Sequence, residues 1–346
     1  MAFLFSRMVS FYILAVLLAL CADPVLSAPG PPGGGHGGNS GNQCKKIHKR
    51  KEWRDMPIPQ RKAWAQAVLC LNSKPATSTY GGGTTRFDQF AATHVQLFEF
   101  IHRNGQFLPW HRHIVTLFDN ALRDECGYRG PTPYWDWTRD ADAPGPISDS
   151  PIFHPVHGLG GDGVPGTYDP PTGGLHQPWS AKGCIDSGPH KDMIVGVGPG
   201  TINDPHCIAR GFNESAWRPF MTSAAVDQVL LLAQDFEAFI EIIDRDFAGI
   251  HGGGHGYVGG DMMDGSAPVD PLFYLHHAQL DRVWWQWQRA NPSQRLYDMG
   301  GPTLAFPAPN NITTTLDDVM LFTGLGPDIT VRDAMDASAY PYCFSY

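Results

Sequence analysis

The residues best suited to chemistry in this chain are histidines, gathered in two stretches, His94 to His113 and His251 to Asp281. The second reads His251-Gly-Gly-Gly-His255, then Asp270-Pro-Leu-Phe273-Tyr-Leu-His276-His277, then Asp281-Arg282. A neutral imidazole offers one nitrogen lone pair, and two imidazoles four residues apart, joined by a third from a downstream helix, can hold one metal ion. The first stretch supplies His94, His102 and His111, so the sequence presents three ligands twice and points to a pair of metal ions. A lone histidine on an apolar helix face is usually a core residue, and it is spacing that singles out these six among 15. His48, His113, His154, His157, His176, His190 and His206 lack such spacing and read as surface or loop residues.

Apolar residues recur at helical spacing from Pro59 to Leu71, and again from Thr85 to His102, where Phe87, Phe90, His94, Leu97, Phe98 and Ile101 share a face. In an unbroken helix the eight residues from His94 to His102 would rise about 12 Å, too far for two ligands of one ion. That helix should therefore stop near His102. Asn104-Gly105 is a turn signal there, and Pro109 suits the first turn of a next helix carrying His111. Residues 127 to 232 hold most of the Gly and Pro, with aromatic islands such as Tyr134-Trp135-Asp136-Trp137, and read as a long irregular excursion wrapping the helices. Helical periodicity resumes over Val226 to Phe247. Asp270 then reads as an N-cap, with Pro271 opening a helix that runs through His277 to Asn291. Neighbouring helical residues point about 100° apart, so only one of His276 and His277 can face the metal. The three glycines between His251 and His255 weaken a helix by roughly 0.8–1 kcal/mol each, so packing must impose that turn. From Gly301 the tail is loop-like.

At 346 residues, 42% hydrophobic and 17% charged, the chain can build a sizeable core. A net charge of -9 with no Lys/Arg run gives no footprint for nucleic acid or an anionic membrane, which leaves a small-molecule partner. Residues 1–27 read as a secretory signal peptide: Arg7 precedes an apolar run, Met8 to Cys21, shorter than the roughly 20 residues a bilayer needs. Residues 28–43 form a Gly/Pro-rich leader expected to be disordered, and residues 44–346 a single domain. Signal cleavage removes Cys21 and leaves Cys44, Cys70, Cys126, Cys184, Cys207 and Cys343, an even set suited to an oxidising compartment. The sequons at Asn213 and Asn311 point the same way.

His102-Arg-Asn-Gly-Gln-Phe107-Leu-Pro-Trp110-His111-Arg112 resembles the first copper signature of tyrosinases and catechol oxidases, and Asp270 to Asp281 resembles the second. The likeness continues through Glu52-Trp53-Arg54, Pro133 to Trp137 and the Tyr-rich end, covers residues 44–346, and is strongest to short secreted tyrosinases of ascomycete fungi. It implies a mainly α fold, an antiparallel four-helix bundle holding a dicopper centre, wrapped by irregular loops with minor β structure. It also implies that His94, His102 and His111 bind one copper and His251, His255 and His277 the other. Phe273, one turn before His277, would pack on the ligand rings. Asp281 would either hold a ligand imidazole by its other N–H or pair with an arginine. Resemblance and locality together favour the disulfides Cys44–Cys343, Cys70–Cys126 and Cys184–Cys207.

Three positions depart from the family pattern. Phe100 stands where many fungal members carry a cysteine bonded to the middle histidine of the first site, so no such thioether is expected. Asp119 replaces the usual Glu at the end of the first signature. Gly252 follows His251 where members proficient on monophenols often have Asn, and Glu241 is the candidate for the glutamate that holds a water beside that Asn.

The activity implied is oxidation of o-diphenols to o-quinones by dioxygen, with weak monophenol hydroxylation, on a small phenol or a tyrosine-containing peptide. A haemocyanin-like carrier would use the same centre to bind dioxygen reversibly. A zinc hydrolase built on the His-x-x-x-His pair would need a Glu where Gly252 stands. Longer relatives carry a C-terminal domain that covers the site until it is cleaved; a chain closing just after Tyr340-Pro-Tyr342 is expected to need no such activation.

Overall fold

The computed structural model describes residues 43–78, 82–169, 180–198, 203–244, 248–305 and 312–346. The signal peptide, nearly all of the leader, His176 and the Asn311 sequon lie outside them. α1 (Ile58–Ser73) buries Trp64, Val68 and Leu71 along one stripe. α2 (Asp88–Ile101) opens on a reciprocal cap: Thr85 Oγ1 accepts the Asp88 N–H at 3.0 Å, and Asp88 Oδ2 accepts the Thr85 N–H at 3.1 Å. It stops where the ligand spacing requires, with His102 already extended at φ -128. α3 (Phe107–Cys126) carries Pro109 in its first turn and ends at Gly127, whose φ of 71 lets the Tyr128 N–H return to the Leu122 carbonyl.

The short α4 (Thr138–Ala141) and α5 (Glu214–Trp217) interrupt the irregular excursion. Asn213 caps α5, its side-chain oxygen accepting from the Ala216 N–H at 3.4 Å. Where one helix was expected over 226–247 there are two, α6 (Ser223–Leu232) and α7 (Phe236–Asp244). Asp235 ends the periodicity by capping anew, accepting the Ala238 N–H at 2.8 Å, while Trp287 donates to the freed Ala233 carbonyl at 2.9 Å. Phe247 is not among the described residues.

α8 (Ile250–Val258), α9 (Leu272–Ala290) and α10 (Pro292–Arg295) complete the helices. Asp270 accepts the Leu272 N–H at 3.0 Å, so it caps α9 as expected. Arg210, fully buried, grips both its carboxylate oxygens at 2.7 and 3.0 Å. α3 packs on α1, α2 and α9, and α8 packs on α7 and α9, which carries the two signature stretches into one core.

Strands among the described residues are two residues long and paired in twos. β1 (His48–Lys49) runs parallel to β10 (Phe344–Ser345), and β2 (Lys51–Glu52) parallel to β3 (Pro133–Tyr134). β4 (Gly183–Cys184) with β7 (Ala209–Arg210), β5 (Ile194–Val195) with β6 (His206–Cys207), and β8 (Val319–Met320) with β9 (Ile329–Thr330) are antiparallel. The three disulfides are those the resemblance favoured, Cys44–Cys343, Cys70–Cys126 and Cys184–Cys207.

Asp281 does not reach an imidazole. It accepts from Arg112 Nε at 2.6 Å, Arg50 Nη1 at 3.0 Å and the Tyr346 hydroxyl at 2.5 Å. Two buried guanidinium charges outcompete a neutral imidazole for one carboxylate. The pairing ties β1 and β10 to α3 and α9. Asp281→Ala leaves both guanidiniums without their carboxylate and is expected to cost about 3–5 kcal/mol. Urea unfolding of the two proteins checks this, and a midpoint unchanged by the substitution would show that the arginines find other partners.

Candidate metal centre

Each of the six singled-out histidines is buried. His94 leaves the middle of α2, His102 the extended residue just after it, and His111 the second turn of α3. His251 and His255 lie one turn apart on α8, and His277 on α9. The two groups face each other: the His111 and His277 rings stack with centroids 4.2 Å apart, and those of His102 and His251 at 6.0 Å. Phe273 lies between them, 5.2 Å from His94 and 4.3 Å from His277, as expected from its place one turn before the ligand. Phe107 also belongs here, 4.8 Å from His111 and 4.6 Å from His251.

Hydrogen bonding fixes which nitrogen faces inward. The Nδ1 atoms of His94, His102 and His111 sit 2.6, 3.0 and 2.7 Å from the carbonyls of Gly265, Phe98 and Phe107. A carbonyl only accepts, so Nδ1 carries the proton and Nε2 is left a bare lone pair. The Nε2 atoms of His94 and His111 are 3.4 Å apart, and neither has a proton to share. Protonation offers no relief, because burial pushes His94 and His111 well below the usual histidine range and His102 to about 4. Convergent bare lone pairs in a buried core fit a bound cation.

In the second group His255 repeats the pattern. His255 Nδ1 donates to the Met262 carbonyl at 2.5 Å, and its Nε2 lies 3.2 Å from that of His277. His251 Nδ1 is 2.5 Å from Asp244 Oδ1. Burial holds His255, His276 and His277 well below the usual range. His276 lies within reach of the same cluster, but its Nε2 is committed to the His251 carbonyl at 2.9 Å.

The glycines of α8 explain themselves by contact. A Cβ on Gly253 would stand 3.0 Å from Phe220, one on Gly254 2.3 Å from the His276 ring, and one on Gly256 2.1 Å from Trp217. The helix weakness that sequence foresaw is the condition for α8 to lie flat on its neighbours.

Several expectations need correction. Glu241 faces solvent, about 100° around α7 from the buried stripe of Phe236, Phe239, Ile240, Ile243 and Asp244. Asp244 is the carboxylate at the site, and a signal for it existed: an acid occupying the last position of an apolar stripe. The family departures at Asp119 and Phe100 are not among these: Asp119 pairs with Arg123 at 3.1 Å, and Phe100 is 51% exposed. His113, His190 and His206 are buried rather than at the surface. His113 Nδ1 meets the Tyr342 hydroxyl at 2.8 Å, and His190 Nε2 donates to the Ala65 carbonyl at 3.1 Å. Their single neighbours lie far away in sequence, so spacing carries no trace of them.

Two buried histidine clusters face to face in a helical core define a binuclear metal protein. The common central domain of tyrosinase matches residues 84–290. The chain is 35% identical to tyrosinase ustQ of Aspergillus flavus over 311 residues, 88% of this chain and 80% of that protein. It is 34% identical to N-acetyl-6-hydroxytryptophan oxidase ivoB of Emericella nidulans over 342 residues, 86% of this chain and 91% of that protein. Among solved structures, a point mutant of a polyphenol oxidase from Thermothelomyces thermophila superposes with a TM-score of 0.76 at 31% identity, covering 87% of this chain and 88% of that one. The chain belongs to the tyrosinase family, whose members bind two copper ions.

His206, outside the centre, supplies a pH dependence. Burial opposes its charge, but Asp261 Oδ1 at 3.0 Å and the Asp204 carbonyl at 2.6 Å prevail and raise it to about 9. Its value in the unfolded chain is about 6.5. The ion pair therefore stabilises fully below that pH and its contribution, at most about 3 kcal/mol, is lost as pH rises through 9. Thermal melts from pH 6 to 9.5 should fall more steeply for the wild type than for His206→Gln; parallel curves would refute the pairing.

Proposed function

We propose that this tyrosinase-family oxidoreductase oxidises o-diphenols to o-quinones with dioxygen, and hydroxylates monophenols weakly. His94, His102 and His111 would hold one copper ion, and His251, His255 and His277 the other. The observation that carries this reading is the pair of facing clusters whose Nε2 atoms converge in a buried core. Copper bound there supplies a route for electrons from the phenol to dioxygen. Two catechols give up four electrons and four protons, and one dioxygen leaves as two waters. The protein's own part is to bury the imidazoles, fix the tautomers of His94, His102, His111 and His255 through backbone carbonyls and hold His251 through Asp244. No side chain need act as a nucleophile.

His276 supports this assignment by its other engagement: with Nε2 donating to the His251 carbonyl, it buttresses α8. Metal analysis of copper-loaded protein should find two coppers in the wild type, one in His277→Ala and nearly two in His276→Ala. Equal losses from both variants, or one zinc per chain, would sink the ligand set.

Gly252 supports a preference for diphenols. Hydroxylating a monophenol requires loss of a phenolic proton, and with a pKa near 10 only about one molecule in a thousand is ionised at neutral pH. Gly252 carries no side chain to orient a water for that proton, and Glu241 faces solvent. Oxygen uptake should be fast with a catechol and slow, after a lag, with the matching monophenol. Gly252→Asn should raise the monophenol rate relative to the diphenol rate; an unchanged ratio would show that the proton leaves another way. Reversible oxygen binding without turnover of either would favour the carrier.

No helix among the described residues is long and apolar enough to cross a membrane. With the three disulfides and the sequence of residues 1–27, this supports a secreted enzyme acting on a small phenol or a tyrosine-containing peptide.

A further inference from the structure

The histidines of the centre differ in what holds Nδ1. His94, His102, His111 and His255 use backbone carbonyls, whereas His251 uses a carboxylate, Asp244 Oδ1 at 2.5 Å. Asp244 is 2% exposed and His251 1%. The other oxygen, Oδ2, accepts the backbone N–H of Arg103 at 2.6 Å. Arg103 directly follows His102 and holds φ at 53, a left-handed turn that a non-glycine residue keeps only when something fixes it. One buried carboxylate thus grips an imidazole of one cluster and the turn that delivers an imidazole to the other.

We propose that Asp244 is a positioning residue that clasps the two metal sites together, orienting His251 while pinning the turn after His102. This rests on the assignment of His251 and His102 as ligands. A carboxylate partner also makes the His251 imidazole a stronger donor than one bonded to a carbonyl, which favours the higher oxidation state of the metal it holds. The two sites are therefore unequal. An amide cannot replace this carboxylate, because it has one oxygen to accept with and would turn an NH2 toward the remaining donor.

The test is competition for copper between a chelator and the loaded protein, with the reduction midpoint of the bound copper measured beside it. Asp244→Asn should weaken retention of the second copper by about 10–100-fold, and raise the midpoint because the donor becomes poorer. Asp244→Glu, which keeps both acceptor oxygens one methylene further out, should fold and weaken retention several-fold less. If the Asn variant does not fold, the Glu variant carries the test. Either folded variant holding both coppers at wild-type affinity with an unchanged midpoint overturns the proposal. His251→Ala separates the two ideas: if it retains two coppers, the ligand assignment fails rather than the clasp.

Discussion

Six imidazoles brought together in a buried core impose the constraint from which much of this structure follows. An imidazole that presents a bare nitrogen inward needs an acceptor for the proton on its other nitrogen, and five of the six find one nearby. Helix ends are where spare acceptors exist, since the last carbonyls of a helix have no partner within it. Phe98, in the last turn of α2, meets His102 in this way. The segment between α8 and α9 serves both clusters, Met262 accepting from His255 and Gly265 from His94. That shared segment is why the two signature stretches, distant in sequence, form one centre.

Close approach is the second demand. Glycine gives up roughly 0.8–1 kcal/mol of helix propensity relative to alanine, and α8 accepts that loss repeatedly. In return His276 and Trp217 lie against its backbone where a Cβ would clash, and Phe220 where one would be crowded. Arg210 on Asp270, and Arg112 with Arg50 on Asp281, then hold α9 from both sides of His277.

What the sequence disclosed and what it concealed divide along the same physical line. Clustered histidines recur at spacings set by helix geometry, so His94, His102 and His111 could be read together, and the stop at His102 followed from rise alone. The break at Asp235 was missed because a local cap outweighed a continuing apolar stripe. For Asp281 the sequence left two roles open, and it could not choose pairing with arginine because the partners, Arg50 and Arg112, lie 231 and 169 residues away. Asp244 and His206 also reach distant partners, Arg103 and Asp261, and only the apolar stripe around Asp244 left a mark. The one-letter pattern records periodicity; it does not record which distant group a buried charge meets.

The Cys44–Cys343 bond, lying where β1 runs beside β10, closes nearly the whole domain into a covalent ring. A single backbone cut at any point between those two cysteines opens the ring without separating the pieces. A nicked molecule would therefore keep its mass until reduced, and its two strands of chain would remain tethered at high effective concentration. The long excursion between α3 and α6 can thus tolerate a protease more readily than its length suggests.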